Sequence, residues 1–220
     1  MSIHLSAFRW VPAFAQGYVK DLRVRWALEE AGLPYEATLI GPQEQASEDY
    51  RRWQPFGQVP AYRDGDVDMF ESGAIVLHIA ARSPALAPGD ARGRARVTSW
   101  VLAALNSIEP YAQNFIQFDA DGAGEAWAKQ RRAQLEANLS RRLSMLSAWL
   151  GDKDYLEGRF TAGDLVMAAV LRELVDCGLL AGFPTIDAYL QRCVARPAFA
   201  RALEAQMRPF RHYVPAEAMA

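Results

Sequence analysis

A change in hydrophobic spacing near residue 83 constrains this chain more than any other feature. Before it, strand-like and helix-like segments alternate; after it, only helical spacing remains. IHLSAF, Ile3 to Phe8, reads as a short buried strand. In VKDLRVRWALEEAGLPYE the apolar positions Val19, Leu22, Trp26, Ala27 and Leu28 recur at helical spacing, Gly32 closes the helix and Pro34 lies just beyond. YEATLIG, Tyr35 to Gly41, alternates like a second strand, and the charged QEQASEDYRRW predicts one short surface helix over a sheet face. VPAYR, Asp64-Gly65 and VDMF form two short strands joined by a tight turn. ESGAIVLHIAAR then predicts a helix with Glu71 and Ser72 in its first turn.

The first part of that order is a parallel unit, which needs a crossover helix, and the second part is an antiparallel hairpin. Together they resemble a thioredoxin-like domain. The predicted fold is therefore an α/β thioredoxin-like N-terminal domain with a mixed four-stranded sheet, residues 1–82, followed by an all-α C-terminal domain. SPALAPGD supplies a linker over residues 83–90, and residues 91–220 carry the helices. Among these, ARVTSWVLAALNSIEPYAQ has continuous helical spacing. In RFTAGDLVMAAVL, Thr161 stands as an N-cap with Asp164 three residues on, a capping box expected to start a central buried helix.

Composition narrows the function. With 24 basic against 26 acidic residues the net charge is -2, which provides no general attraction for nucleic acid. Arg92 to Arg96 (RGRAR) and the Arg131-Arg132 pair read as solvated helix faces. No apolar run reaches the ~20 residues of a membrane helix, and MSIHLSAFRW has neither a basic leader nor an apolar signal segment, so a cytoplasmic location is expected. Cys177 and Cys193 lack zinc-site spacing and are expected as buried free thiols. His4, His78 and His212 are scattered, with His78 inside an apolar helix, so no metal is expected.

Two pairs of residues point to a ligand. Pro60 opens a strand without an N–H to give, so it belongs at an edge or turns its neighbour's backbone toward something else. If the Val59-Pro60 peptide is cis, the amide and carbonyl of Val59 point out from the sheet edge, where a peptide can pair as one more strand. Glu71 and Ser72 stand at a helix start, where unpaired N–H groups and the dipole favour an anion. The Ser72 hydroxyl and N–H suit a carboxylate and Glu71 an ammonium, so together they fit an α-amino-acid head group; a serine there also serves simply as a cap.

This order of elements with both pairs in place resembles the cytosolic glutathione S-transferase family over nearly the whole chain. The resemblance is carried by FGQVPAY, FESGAIVLHIA, RVRWALEEAGLPYE, RFTAGDLVMAAVL and YLQRCVARPAFARAL. It implies that FGQVPAY holds a cis-proline, that Val59 makes main-chain bonds to the cysteinyl part of glutathione with Gln58 near the glycyl end, and that Glu71 and Ser72 hold the γ-glutamyl end. It also implies glutathione as co-substrate, a homodimer, and a role in detoxification by joining the glutathione thiolate to a small hydrophobic electrophile. A glutathione-dependent isomerase or dehalogenase, or a non-catalytic glutathione-binding protein of the same fold, is the alternative.

The family activates the thiol through a Tyr, Ser or Cys after the first strand. Here that stretch is FRWVPAFAQGYVKDL, longer than usual, and its only hydroxyl is Tyr18. Counting backward from Arg23 places Tyr18 at the family's serine, whereas counting forward from the strand places Trp10 or Ala13 near the sulfur. Tyr18 is the catalytic candidate; Arg9, Lys20 or a loop N–H are the other possibilities. Trp10, Phe14 and Trp100 are candidates to line the electrophile pocket. A cysteine-based reductase is disfavoured, since neither cysteine lies in the first domain.

Overall fold

The computed structural model describes residues 2–121 and 126–213. Its first part runs β1 (Ile3–Phe8), α1 (Asp21–Ala31), β2 (Tyr35–Ile40), α2 (Pro42–Ala46), α3 (Glu48–Trp53), β3 (Ala61–Asp64), β4 (Val67–Phe70) and α4 (Ser72–Ala80). The strands pair in the order β2-β1-β3-β4. β1 and β2 are parallel, from Ile3↔Tyr35 to Phe8↔Ile40, with α1 as the crossover. β3 is antiparallel to both β1 and β4. The hairpin turns at Gly65, whose φ of 62° is a conformation that side chains with a Cβ rarely adopt. The sheet is mixed, as the spacing predicts.

α1 ends in a Schellman closure, with the Gly32 N–H on Glu29 O at 3.4 Å and the Leu33 N–H on Leu28 O at 3.0 Å. The charged stretch after β2 forms two helices where one is expected. Ser47 interrupts it in an extended conformation, and its hydroxyl caps α3 by accepting the Tyr50 N–H at 3.2 Å. Restarting the helix there turns Tyr50 inward, into a cluster with Ile40 and Val59.

Two compact units divide the chain. One is Pro88–Ala195, built from α5 (Ala91–Ala103), α6 (Glu109–Asp121), α7 (Ala126–Leu150), α8 (Ala162–Arg172) and α9 (Pro184–Val194). The helical spacing expected through Pro110 holds without interruption, α5 passing into α6 through a π-helical turn over Ala104–Ile108. Pro110 has no N–H for the preceding turn, and the hydrogen bonding widens ahead of it. In α7 the buried Leu135, Leu139, Leu143, Leu146 and Leu150 form one stripe. α8 is buried along its length from Ala162 to Leu171 and starts from the expected capping box. Asp164 accepts from the N–H of Leu156 (2.8 Å) and Thr161 (2.9 Å) and from the hydroxyls of Thr161 (3.0 Å) and Tyr189 (3.1 Å). Burial pushes its carboxyl up, and these bonds draw it back.

The other unit combines Met1–Ala87 with the chain from Arg196 onward. The final helix, α10 (Pro197–His212), therefore belongs with the sheet and not with the helical domain to which residues 91–220 are assigned by spacing. Its buried stripe, Ala198, Phe199, Ala202, Gln206 and Phe210, packs against α1. Phe199 meets the edge of Trp26 at 4.8 Å between ring centroids, and Arg196 forms a two-pronged pair with Glu30 at 2.6 and 2.7 Å. Helical periodicity reveals such a stripe but not which partner covers it. The linker boundary moves for the same reason: Ser83, Leu86 and Ala87 are buried and group with the first unit.

Cys193 is buried as expected, whereas Cys177 is only half-buried, its thiol donating to Leu174 O at 3.0 Å; neither is in a disulfide. Among the described residues no group of three His, Cys, Asp or Glu is placed to hold a metal ion, and no helix is long and apolar enough to cross a membrane.

Candidate active site

The stretch before β3 is held from below by polar side chains. The β1–β3 ladder ends at Leu5↔Tyr62, and the next amide, Ala61 N–H, turns to the Ser6 hydroxyl at 2.7 Å. The Ser6 hydroxyl lies 2.8 Å from the Tyr50 hydroxyl, which donates to Gln58 O at 2.6 Å. A carbonyl can only accept, so the relay has one direction: Ala61 N–H to Ser6, Ser6 O–H to Tyr50, Tyr50 O–H to Gln58 O. Burial raises the Tyr50 phenol, which keeps its proton in place for that bond. Gln45 Nε2 adds a bond to Gly57 O at 2.7 Å, and Trp53 Nε1 one to Tyr62 O at 3.1 Å.

These contacts fix the chain on both sides of Val59, whose peptide bond to Pro60 is cis. The Val59 side chain is buried with Ile40 and Tyr50. Among the described residues no hydrogen bond uses its N–H or its carbonyl. Gln58 is exposed beside it, and Pro60 is buried.

Glu71 and Ser72 stand at the start of α4. Glu71 is exposed and has a φ of 68°, the only positive φ at a non-glycine position among the described residues. A side chain held in that region costs roughly 1–3 kcal/mol and persists where its surroundings require it. Ser72 is buried, and the Arg23 guanidinium reaches its hydroxyl at 3.5 Å. The cation lies where an anion at the helix start would benefit from it.

The loop from Arg9 to Lys20 includes a 3-10 turn over Ala13–Ala15, and the Tyr18 N–H closes on Ala15 O at 3.0 Å. Tyr18 is half-buried in the turn that leads into α1, just ahead of the helix. Val19, its neighbour, packs against the Ile40–Tyr50–Val59 cluster, so the end of the loop and the Val59 edge belong to one packing unit. Trp10 is half-buried, and Phe14 is 83% exposed. Arg9 is committed elsewhere: it pairs with Glu44 at 2.9 Å and sits over the Tyr213 ring at 5.7 Å. That guanidinium holds the Glu44 carboxyl down at about 2. Trp100 lies in the helical unit, where its indole donates to Glu157 at 2.6 Å and stacks at a tilt on Trp149.

The loop's last residues are fastened by α10. Gln206 Nε2 donates to Val19 O at 3.0 Å and to Asp21 Oδ1 at 2.6 Å, and Arg25 Nε donates to Asp21 Oδ2 at 2.7 Å. Burial pushes the Asp21 carboxyl up, against the pull of Arg25. Ser6, Tyr50, Arg23 and Gln206 carry no motif that sequence reasoning could use. The one available hint is Ser6, a polar residue between the apolar Leu5 and Ala7 of a buried strand, which implies a buried partner.

Residues 16–81 match the family described as glutathione S-transferase, N-terminal domain, and residues 111–197 match its C-terminal domain. Glutathione S-transferase 3 of Zea mays is 30% identical over 203 residues, covering 84% of this chain and 88% of its own. A glutathione S-transferase of Hyoscyamus muticus is 29% identical over 196 residues, 83% of this chain and 92% of its own. Among solved structures, a glutathione transferase of Burkholderia graminis with two glutathione molecules bound per subunit gives a TM-score of 0.81 at 26% identity, covering 94% of this chain and 89% of that one. A family member from Pseudomonas fluorescens, with two glutathione bound, gives 0.79 at 27% identity over 92% of each chain. With both domain profiles matched in order and relatives similar along most of their length, the chain belongs to the glutathione S-transferase family.

Proposed function

We propose that this enzyme binds glutathione as a strand added at Val59 and transfers its sulfur to a hydrophobic electrophile. The observation that carries the reading is the open main chain of Val59 on a segment otherwise pinned by Tyr50, Ser6 and Trp53. A buried side chain with an unused N–H and carbonyl is a place for a peptide backbone to pair. Gln58 lies toward the glycyl end. Ser72, with the first-turn N–H groups of α4 and the Arg23 charge behind it, takes the γ-glutamyl carboxylate, and Glu71 faces the ammonium.

The cysteinyl thiol, with an unperturbed pKa of ~8.5, must ionise before it attacks. Tyr18 is the proposed donor to the sulfur, and the N-terminus of α1 favours its negative charge. The thiolate forms a bond to an electrophilic carbon, displacing a leaving group or adding across a polarised double bond. Phe14 and Trp10 offer apolar surface to that partner. Free thiols at Cys177 and Cys193 suit a reducing compartment such as the cytoplasm. We also infer a homodimer, with the exposed Phe70 side of the hairpin as a candidate contact; sedimentation at the mass of one chain would overturn this.

Calorimetric titration with glutathione followed by thiol consumption with a reactive aryl halide tests the function. Saturable binding and turnover are expected. Tight binding without turnover over a broad electrophile panel would refute the transferase reading, and absence of binding would refute the site.

A further inference from the structure

The loop from Arg9 to Lys20 lies outside the sheet ladders, yet the proposed chemistry requires it to hold a donor against sulfur. Its end is gripped by a residue 187 positions away. Gln206 donates from one nitrogen to Val19 O (3.0 Å) and to Asp21 Oδ1 (2.6 Å), and it is 1% exposed. The Val19 side chain itself packs against the cluster that includes Val59. One peptide segment is thus held between the ligand-pairing edge and α10, a helix that lies beyond the matched C-terminal family region ending at residue 197.

The amide orientation is forced. Exchanging its oxygen and nitrogen would set an acceptor against a carbonyl and a carboxylate. In the orientation that works, Gln206 Oε1 is buried with no hydrogen-bond partner. Leaving an acceptor unsatisfied is costly and uncommon in a core. An apolar residue would fill the same space against α1 without that cost, so packing alone gives no reason for glutamine here; two donated bonds to the loop end do.

We infer that Gln206 is a positioning residue for thiol activation: it fixes the Val19–Asp21 segment so that Tyr18 and the first N–H groups of α1 meet the glutathione sulfur at the Val59 edge. This rests on the function proposed above. Gln206 touches no substrate, so its removal is expected to leave glutathione affinity within about threefold and to raise the pKa of the bound thiol by about one unit, which lowers the thiolate fraction and kcat by up to about tenfold at pH values below that pKa.

The test titrates the thiolate absorbance of bound glutathione in the full-length protein, its Gln206→Leu variant and, as a control, Arg196→Ala. The control breaks the Arg196–Glu30 pair, which ties α10 to the other end of α1. Both variants are expected to lower the thermal midpoint, but only Gln206→Leu to shift the thiol titration. Equal shifts in the two variants, or an unchanged titration in Gln206→Leu, would overturn the inference. Should Gln206→Leu fail to fold, Gln206→Met, of similar length and without a donor or a charge, is read in the same way. A wild-type protein that binds glutathione without ionising it would instead overturn the transferase reading, before any variant is compared.

Discussion

Tyr50→Phe isolates the polar relay beneath the proposed ligand edge. The ring stays in the cluster with Ile40 and Val59, so packing is conserved and only an oxygen is lost. Two groups then lose a partner: the part-buried Gln58 O, which accepts the phenol proton at 2.6 Å, and the buried Ser6 hydroxyl, which donates to the phenol oxygen at 2.8 Å. Ser6 keeps its bond from the Ala61 N–H at 2.7 Å, so the β3 side of the segment remains tied. The orphaned Ser6 hydroxyl costs about 1 kcal/mol or more and the Gln58 carbonyl, which water can reach, costs less, so about 1–2 kcal/mol of stability should disappear. Urea unfolding should show this as a lower midpoint at unchanged slope. The loss falls on Gln58, directly before Val59, so part of it should reappear in binding: about 1 kcal/mol, a roughly fivefold weaker glutathione Kd by calorimetry, with kcat little changed. An unchanged midpoint together with an unchanged Kd would show that the relay neither supports the fold nor shapes the edge.

Ser72→Ala should weaken glutathione binding by about 1–3 kcal/mol, the range for leaving a charged group one hydrogen bond short; undiminished affinity in calorimetry would reduce Ser72 to a helix-start residue. Tyr18→Phe should move the bound-thiol titration upward by about one unit, and an unchanged profile would remove Tyr18 from the mechanism. The Glu44 carboxyl should titrate at about 2 by NMR and return toward 4.5 in Arg9→Gln. Its folded pKa is depressed, so its contribution to stability is present above the unfolded carboxylate range and is lost as pH falls through about 2. Asp164 has the opposite sign. Burial raises its folded pKa, so its contribution is fully present below the unfolded value of 3.8 and declines as pH rises through the folded value. Asp164→Asn should remove that slope from a series of urea midpoints, and an unaltered slope would show that another group carries it.

Much of the first unit is legible locally. Gly32 and Pro34 close α1, Asp64-Gly65 turns the hairpin, and the Val59-Pro60 and Glu71-Ser72 pairs stand where a strand and a helix begin, because each depends on neighbours a few residues away. What escapes sequence reading is long-range. The Ser6–Tyr50 contact spans 44 positions and the Gln206–Asp21 contact 185, and neither an isolated serine nor an isolated glutamine shows periodicity. Tyr50 points inward only because Ser47 restarts the helix, a one-residue effect that shifts which face is buried. The grouping of α10 with the sheet is not legible for a related reason: its apolar stripe fits a helical domain and a sheet domain equally well. The loop from Arg9 to Lys20 admits two alignments because it has no regular spacing to anchor either.

The discontinuity of the first unit bears on synthesis. Its opening segment leaves the ribosome early, yet the surface of α1 around Trp26 has no cover until Phe199 is translated, after the whole helical unit has emerged. Completing that unit therefore requires more than a hundred intervening residues of the other unit to be made first. A chain ending before Arg196 would lack α10, the helix that covers this face of α1.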